Sequence, residues 1–381
     1  MTPLRVAAAL TSSVAVLVVA APVGAAPTTN PSPAPVVSTS LSITACPALY
    51  AFGVQGTGES SPDAAPTTDT GMLSVVFRPM MAAASGRGLV DRAYVPYPAG
   101  FGGAVGAPVT PYTESVATGV LRLESMIHQV NSACPQTRIA IVGYSQGAHV
   151  ASITAQDIGA GTGVVTPDVI AAVVLMADPT RNPGAGLFPG TDATTPAPVP
   201  GTTGTHLAKL PAAPIRSVAS GGGIGPTRDI ATDYGALVGR VASLCVADDL
   251  ACDTSAGSAI LRAAAGVASQ SHLSTGDPVA SLISVGQALA YTSIKAATTT
   301  VDEDISGTSP AEVAMSPTKS ISQRLADASD PRTPLDMNAA LAAAMRVGTI
   351  GLNAVKLVAA SILNPATLTQ LSTVALTKPG A

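Results

Sequence analysis

Tryptophan is absent from this 381-residue chain, and tyrosine and phenylalanine number only 7 and 4. So few aromatic faces argue against a dedicated sugar-binding module, which usually stacks rings on such faces. Charge is also scarce, at 11% of residues, with 19 Lys and Arg against 23 Asp and Glu for a formal net charge of −4. No window collects five basic residues, so nucleic acid is excluded as a partner. Histidine and cysteine occur four times each. What the chain does have is 47% hydrophobic residues with 36 Gly and 32 Pro, a globular composition rather than a disordered one. Its length allows one large domain with an appendage, or two domains.

Residues 1–25 read as an export signal: Arg5 supplies the positive start, Val6 to Ala21 are largely apolar, and Val23-Gly24-Ala25 offers small residues for cleavage. A Pro, Ser and Thr rich leader follows over 26–44, and the expected location is secreted, extracellular or associated with the cell envelope. Such a compartment permits disulfides. Four cysteines allow three connectivities. Cys245 and Cys252 enclose a short loop that a local bridge closes easily, which leaves Cys46 to pair with Cys134. A zinc site is disfavoured because C-x6-C is an atypical spacing and no His lies near either sequence pair; no metal or cofactor is expected.

Leu49–Val54 reads as a buried strand breaking into Gly56-Thr57-Gly58-Glu59. Gly71–Ala84 reads as a helix that Pro79 bends or ends early. Ala93–Tyr97 is a second strand, and the loop from Gly100 to Gly106 lacks the spacing of a dinucleotide site. Apolar residues stepping by four and three make Glu114–Ala133 an amphipathic helix. Arg138–Val142 is a strand, Gly147–Ile158 a helix, Ile170–Met176 a buried strand, and Pro214–Ala219 one more strand candidate. Alternation of this kind implies an α/β layer on a parallel sheet. The Pro, Gly and Thr rich stretch 181–212 is expected as a surface insertion.

The main domain is expected to span 45–297 and a linker 298–333, in which Ser309-Pro310-Ala311-Glu312 offers a helix start. A C-terminal helical extension occupies 334–381, its Ala-rich helix running from Pro334 to Leu363. Arg346, Thr349, Asn353 and Lys356 form a narrow polar stripe on that helix. Its apolar remainder needs cover, from the body of the protein, from another copy or from a lipid surface.

The chemistry is concentrated at Gly143-Tyr144-Ser145-Gln146-Gly147, a G-x-S-x-G pattern set between a strand and a helix. Glycines at both ends permit a tight elbow that exposes the serine. A nucleophilic serine needs a base. His128, His149 and His206 sit within helices or in the Pro-rich stretch and read as structural or merely exposed. His272 follows every strand candidate, where an α/β-hydrolase places its histidine loop. An orienting carboxylate is required as well, and Asp178 and Asp249 are the candidates. Asp249 is favoured over Asp178 and Asp248, because a small Cys245–Cys252 bridge would hold it rigidly.

From Cys46 to the His272 region these residues resemble the cutinases and the cutinase-like serine esterases of actinobacteria. The likeness rests on Gly143-Tyr144-Ser145-Gln146-Gly147, on Pro135 after Cys134, and on an acid four residues into a C-x6-C loop. It implies a three-layer α/β-hydrolase with a central parallel sheet, and hydrolysis of carboxylic esters of lipids or polyesters through an acyl-enzyme. By resemblance Ser145 is the nucleophile, Asp249 the acid and His272 the base, and the amides of Thr57 and Gln146 form the oxyanion hole. Gln55 stands where an arginine is usual. Nineteen residues, 253 to 271, separate Cys252 from His272, more than in the fungal enzymes. The expected partner is an ester or lipid substrate, with envelope or lipid association through the C-terminal helix. An acyltransferase using the same triad and a noncatalytic envelope-binding protein are the alternative readings.

Overall fold

The computed structural model describes residues 39–363, apart from 86, 105–106, 210–218, 256–257, 274–277 and 310–311. The export signal, most of the leader and nearly all of the Pro214–Ala219 strand candidate lie outside the described residues.

Five parallel strands form the central sheet: β1 (Leu49–Val54), β2 (Val90–Tyr94), β3 (Arg138–Tyr144), β4 (Ile170–Met176) and β5 (Val241–Leu244). Their order is β2-β1-β3-β4-β5. Side chains alternate across a strand, so Tyr50, Phe52 and Val54 of β1 and Ile139 and Ile141 of β3 fill the larger core. That face is covered by α2 (Tyr112–Ala133) and α3 (Gln146–Ala160) through Leu123, Met126, Ile127, Val150 and Ile158. On the other face Ala51 and Val142 meet Phe77 of α1 (Ser74–Ala84) and Tyr94. The architecture is that of an α/β-hydrolase.

Several boundaries differ from the expectation. α1 starts at Ser74 and Pro79 does not end it, because Phe77 is fully buried and holds the helix against the sheet. The second strand is Val90–Tyr94, starting three residues before the expected Ala93 and ending at Tyr94 rather than Tyr97. The fifth strand is Val241–Leu244, whose four residues are too short and mixed to show a period.

The stretch expected as a linker carries ordered structure. α4 (Ala259–Ser269) is followed by α5 (Pro278–Asp304), a two-stranded antiparallel pair of β6 (Ile305–Ser306) and β7 (Ala314–Met315), α6 (Ile321–Ala328) and α7 (Met337–Leu363). The helix start is at Ser320 rather than at Ser309. Ser320 and Gln323 form a reciprocal capping box, with Gln323 N donating to Ser320 Oγ at 3.2 Å and Ser320 N to Gln323 Oε1 at 2.8 Å. Arg324 of α6 donates through Nε to Asp304 Oδ2 at 2.9 Å, both side chains being almost fully buried. Such a pair fixes α6 against the end of α5.

Candidate active site

β3 ends at Tyr144 and α3 begins at Gln146, leaving Ser145 as the whole turn, with φ 53° and ψ −120°. This is a positive-φ conformation that costs an L-residue of order 1–3 kcal/mol and persists only where the surroundings impose it. Two glycines impose it. A Cβ on Gly147 would strike the Val54 carbonyl oxygen of β1, and one on Gly143 would lie 2.6 Å from Ala148 Cα. Helix and sheet therefore approach more closely than any other residue allows. Ser145 N donates to Met176 O at 2.9 Å, which ties the turn to β4.

Thr57 lies in the loop after β1. Gly58 N donates to Ala99 O at 2.8 Å, and the Glu59 carboxylate accepts from Gly56 N at 3.0 Å and from Met72 N at 3.1 Å. Gln55, the departure from the resembled pattern, accepts from Leu73 N at 3.2 Å and donates to Thr70 O, so it braces the approach to α1. The Gln146 side chain is buried and donates to Gly100 O at 2.8 Å. Among the described hydrogen bonds neither the Thr57 nor the Gln146 amide donates. The Gln146 amide is one of the unpaired donors that open α3.

The structure does not join the three residues expected as a triad. Asp249 Oδ1 accepts from Ala251 N at 2.8 Å, and the loop around it is braced by Asp253, which accepts from Gly221 N at 2.6 Å and Asp248 N at 2.8 Å. His272 is exposed on the loop after α4, its amide donating to Ser284 Oγ at 2.9 Å. No hydrogen bond links Ser145, Asp249 and His272 in this structure, although catalytic hydrogen bonds often tighten only once substrate is bound. The histidine loop does reach the site, since Leu273 N donates to Gly102 O beside Phe101.

Both expected disulfides are present, Cys46–Cys134 and Cys245–Cys252. His149, set aside as structural, is buried: its Nε2 meets Asp229 Oδ2 at 3.0 Å and its Nδ1 the Tyr112 hydroxyl at 3.0 Å. With Asp229 ionised, Nε2 carries the proton, and in the neutral ring Nδ1 accepts from Tyr112. Burial alone would raise the Asp229 carboxyl, yet hydrogen bonds from His149 and Arg332 outweigh it and hold it at about 2. Asp178, the rival acid, is fully buried and accepts from Thr180 N and Oγ1, each at 2.8 Å. Desolvation pushes it up to about 6 despite those bonds. Its described hydrogen bonds go to Thr180 and to no histidine, although His149 lies near enough to act on its charge, and they brace the loop after β4.

A cavity of about 210 Å³ lies at Ser145, lined also by Thr57, Phe101, Tyr112, Pro179 and residues 224–227. α4 contributes Arg262, Ala265, Gly266 and Ser269, and the end of α6 contributes Ala326, Ser329 and Asp330. Sequence reasoning missed these last groups, because an Ala-rich helix and a presumed linker carry no local sign of a binding wall. Among the described residues no group of three His, Cys, Asp or Glu could hold a metal ion.

The cutinase family model matches residues 45–262, more than half of the chain. A carboxylesterase Culp6 homolog of Corynebacterium glutamicum is 30% identical over 227 residues, covering 58% of this chain and 70% of that protein. Acetylxylan esterase 2 of Talaromyces purpureogenus is 32% identical over 108 residues, covering 28% of this chain and 42% of that enzyme. Among solved structures, an acetylxylan esterase aligns at 24% identity with a TM-score of 0.34, covering 59% of this chain and 94% of that one. A cutinase-like protein from Cryptococcus sp. aligns at 20% identity and a TM-score of 0.36, covering 55% and 81%. The chain belongs to the cutinase family. It is a carboxylic ester hydrolase that acts by a serine mechanism.

Proposed function

We propose that this protein is a secreted carboxylesterase in which Ser145 forms an acyl-enzyme with esters of lipids or polyesters. The observation that carries the reading is the strained Ser145 lining a mostly apolar cavity, with the Thr57 and Gln146 amides donating in no hydrogen bond among the described residues. Ser145 Oγ attacks the ester carbonyl while His272 takes its proton and Asp249 stabilises the imidazolium. The oxyanion is received by the Thr57 and Gln146 amides. The alcohol leaves with the proton from His272, and a water activated by the same histidine releases the acid. Support for the base is the tie between its loop and Gly102; support for the acid is its place in the bridged loop whose Ala251 lines the cavity. Two disulfides suit an oxidising compartment and support secretion.

Labelling by a fluorophosphonate and hydrolysis of a soluble ester test the roles together. Ser145→Ala and His272→Ala should each lower turnover by on the order of 10⁴ to 10⁶, with Asp249→Asn costing less. Full turnover in Ser145→Ala would remove the nucleophile. Collapse in Asp178→Asn with wild-type turnover in Asp249→Asn would exchange the acid.

Association with a lipid surface is supported by α7. Its covered face holds Ala343, Arg346 and Asn353, the last donating to Thr308 O at 2.8 Å, while Leu341, Met345, Leu352 and Val355 are all more than 60% exposed. Met337–Leu357 has a mean hydropathy of 1.2. An exposed apolar face of this length marks an interaction surface, and flotation of the intact protein with anionic vesicles tests it against a Leu341→Lys, Leu352→Lys variant.

A further inference from the structure

Two charged side chains line the cavity at Ser145, Arg262 of α4 and Asp330 after α6, and they differ in what holds them. Asp330 is fully engaged: Arg228 Nε reaches its carboxylate at 2.9 Å, Arg332 Nη2 at 3.0 Å, and the Arg332 amide donates to it at 2.9 Å. Arg262 is not. Its one described hydrogen bond runs from Nε to Gly223 O at 3.3 Å, slightly beyond the usual range. Nη2 is buried without a partner, and no carboxylate among the described residues pairs with the guanidinium. Carboxylates on the neighbouring segments are spent elsewhere: Asp229 on His149 and Arg332, Asp253 on the amides of Gly221 and Asp248, Asp249 on that of Ala251. Three hydroxyls of the lining are also committed, Tyr112 to His149, Ser269 to Gly266 O and Ser329 to Ala326 O. A buried donor left unpaired costs the desolvation of the group, and more when it is charged. Arginine cannot shed that cost by giving up its proton. Such a group in a catalytic cavity calls for an acceptor that the ligand supplies.

We propose that Arg262 is a specificity-determining residue and that the substrates of this cavity are esters carrying a free carboxylate. The inference deepens the esterase reading and rests on Ser145 as the nucleophile. The unpartnered part of Arg262 is its Nη1–Nη2 edge, whose two nitrogens match the two oxygens of a carboxylate. A flexible methylene stem turns that edge onto a bound group. Charge favours a carboxylate over a phosphate monoester: one uncompensated guanidinium neutralises one negative charge, and Arg228 and Arg332 are already committed to Asp330 and Asp229. Phe101, Ile224, Ala251 and Ala265 give the same cavity an apolar part, which suits the hydrocarbon between carboxylate and ester. Ser145 and Arg262 line one cavity of about 210 Å³, so the two functional groups of a small bifunctional ester can occupy it together.

The test uses the full-length enzyme at mildly alkaline pH and two ester series, each acid compared with its neutral carboxamide. One series is the 4-nitrophenyl monoesters of straight-chain diacids, with the carboxylate on the acyl side. The other is the acetates of ω-hydroxy acids, with the carboxylate on the alcohol side. In one of them the acid-to-amide ratio of kcat/KM should reach roughly tenfold or more at the best spacer length, because a charge-assisted pair outweighs a neutral hydrogen bond. The series that shows it identifies the half of the ester that meets Arg262. Arg262→Met should bring that ratio below about twofold, and Arg262→Lys, which keeps the charge without the fork, should fall between. If Arg262→Met does not fold, the wild type decides: octanoate should slow fluorophosphonate labelling at concentrations where octanamide does not. A ratio near one in both series, a ratio that survives Arg262→Met, or equal protection by octanoate and octanamide would overturn the proposal. Ser145→Ala separates the two readings: full turnover in that variant sinks the nucleophile, whereas an inert Ser145→Ala with wild-type ratios near one sinks only the role of Arg262.

Discussion

Arg332 grips Asp229 with both ends of its guanidinium, Nη1 to Oδ1 at 3.0 Å and Nη2 to Oδ2 at 2.7 Å. The same carboxylate receives His149 Nε2, and the His149 amide donates to the Ser145 carbonyl at 3.2 Å. A residue beyond the family match is thus connected to the helix that follows Ser145 through one carboxylate and one imidazole. Bidentate pairs of this type are directional as well as strong. The C-terminal region is fastened to the catalytic body, not tethered beside it.

Truncation at residue 297 should therefore abolish soluble esterase activity. It removes α6, the Ser329–Asp330 wall and Arg332, and it exposes the face of Gly266 that Ser329 covers. A linker over 298–333 would instead leave an active enzyme. The milder variant Arg332→Ala keeps the fold and should cost about 1–2 kcal/mol in urea unfolding at neutral pH, a figure reduced by the partial exposure of the guanidinium. An active 1–297 protein, or an Arg332→Ala variant as stable as wild type, would contradict the fastening.

Ser145→Gly should raise stability while destroying activity. Glycine adopts φ 53°, ψ −120° without the Cβ penalty, at the expense of greater unfolded-chain entropy. The net gain expected is about 0.5–1.5 kcal/mol, read from the denaturation midpoint beside Ser145→Ala, which stays in the same strained backbone. Equal midpoints for the two variants would mean the elbow stores no strain.

Much of the catalytic half was legible because its signals are local. Gly143, Ser145 and Gly147 carry the elbow in five residues, and the short Cys245–Cys252 loop implied its own bridge. β5 was missed because four residues show no period. The wall was missed for a different reason: Asp229 and Arg332 are 103 residues apart, and neither position hints at the other. Ser320 was legible in principle, since Ser320 and Gln323 have the capping-box spacing, but the polar composition around them read as solvated chain.

The two disulfides should differ in what they stabilise. Cys46–Cys134 closes a separation of 88 residues and Cys245–Cys252 one of 7. On the chain-entropy account their loss costs about 4–5 and about 2 kcal/mol respectively. Replacing Cys46 and Cys134 by serine should lower the melting temperature more, whereas replacing Cys245 and Cys252 should depress kcat more, because that loop carries Asp249 and Ala251. Melting temperatures and turnover of the two double variants, measured side by side, decide it; the reverse ranking in both would reject the account.

Asp178 and Asp229 should give stability opposite pH slopes in adjacent windows. Asp229 is held at about 2, below an unfolded carboxyl near 4, so its contribution is complete above pH 4 and is lost as pH falls toward 2. Asp178 is pushed up to about 6, so the folded state keeps a proton that the unfolded chain has already released. Between pH 4 and 6 the folded state then binds more protons, and stability falls as pH rises through that window before levelling off. The drop amounts to roughly 2–3 kcal/mol. Asp178→Asn retains an acceptor oxygen for the Thr180 amide and hydroxyl but does not titrate. Urea unfolding of both proteins from pH 4 to 7 should show the wild type losing ground to the variant across pH 4–6, with the variant still hydrolysing esters; parallel curves would show that Asp178 ionises normally inside the fold.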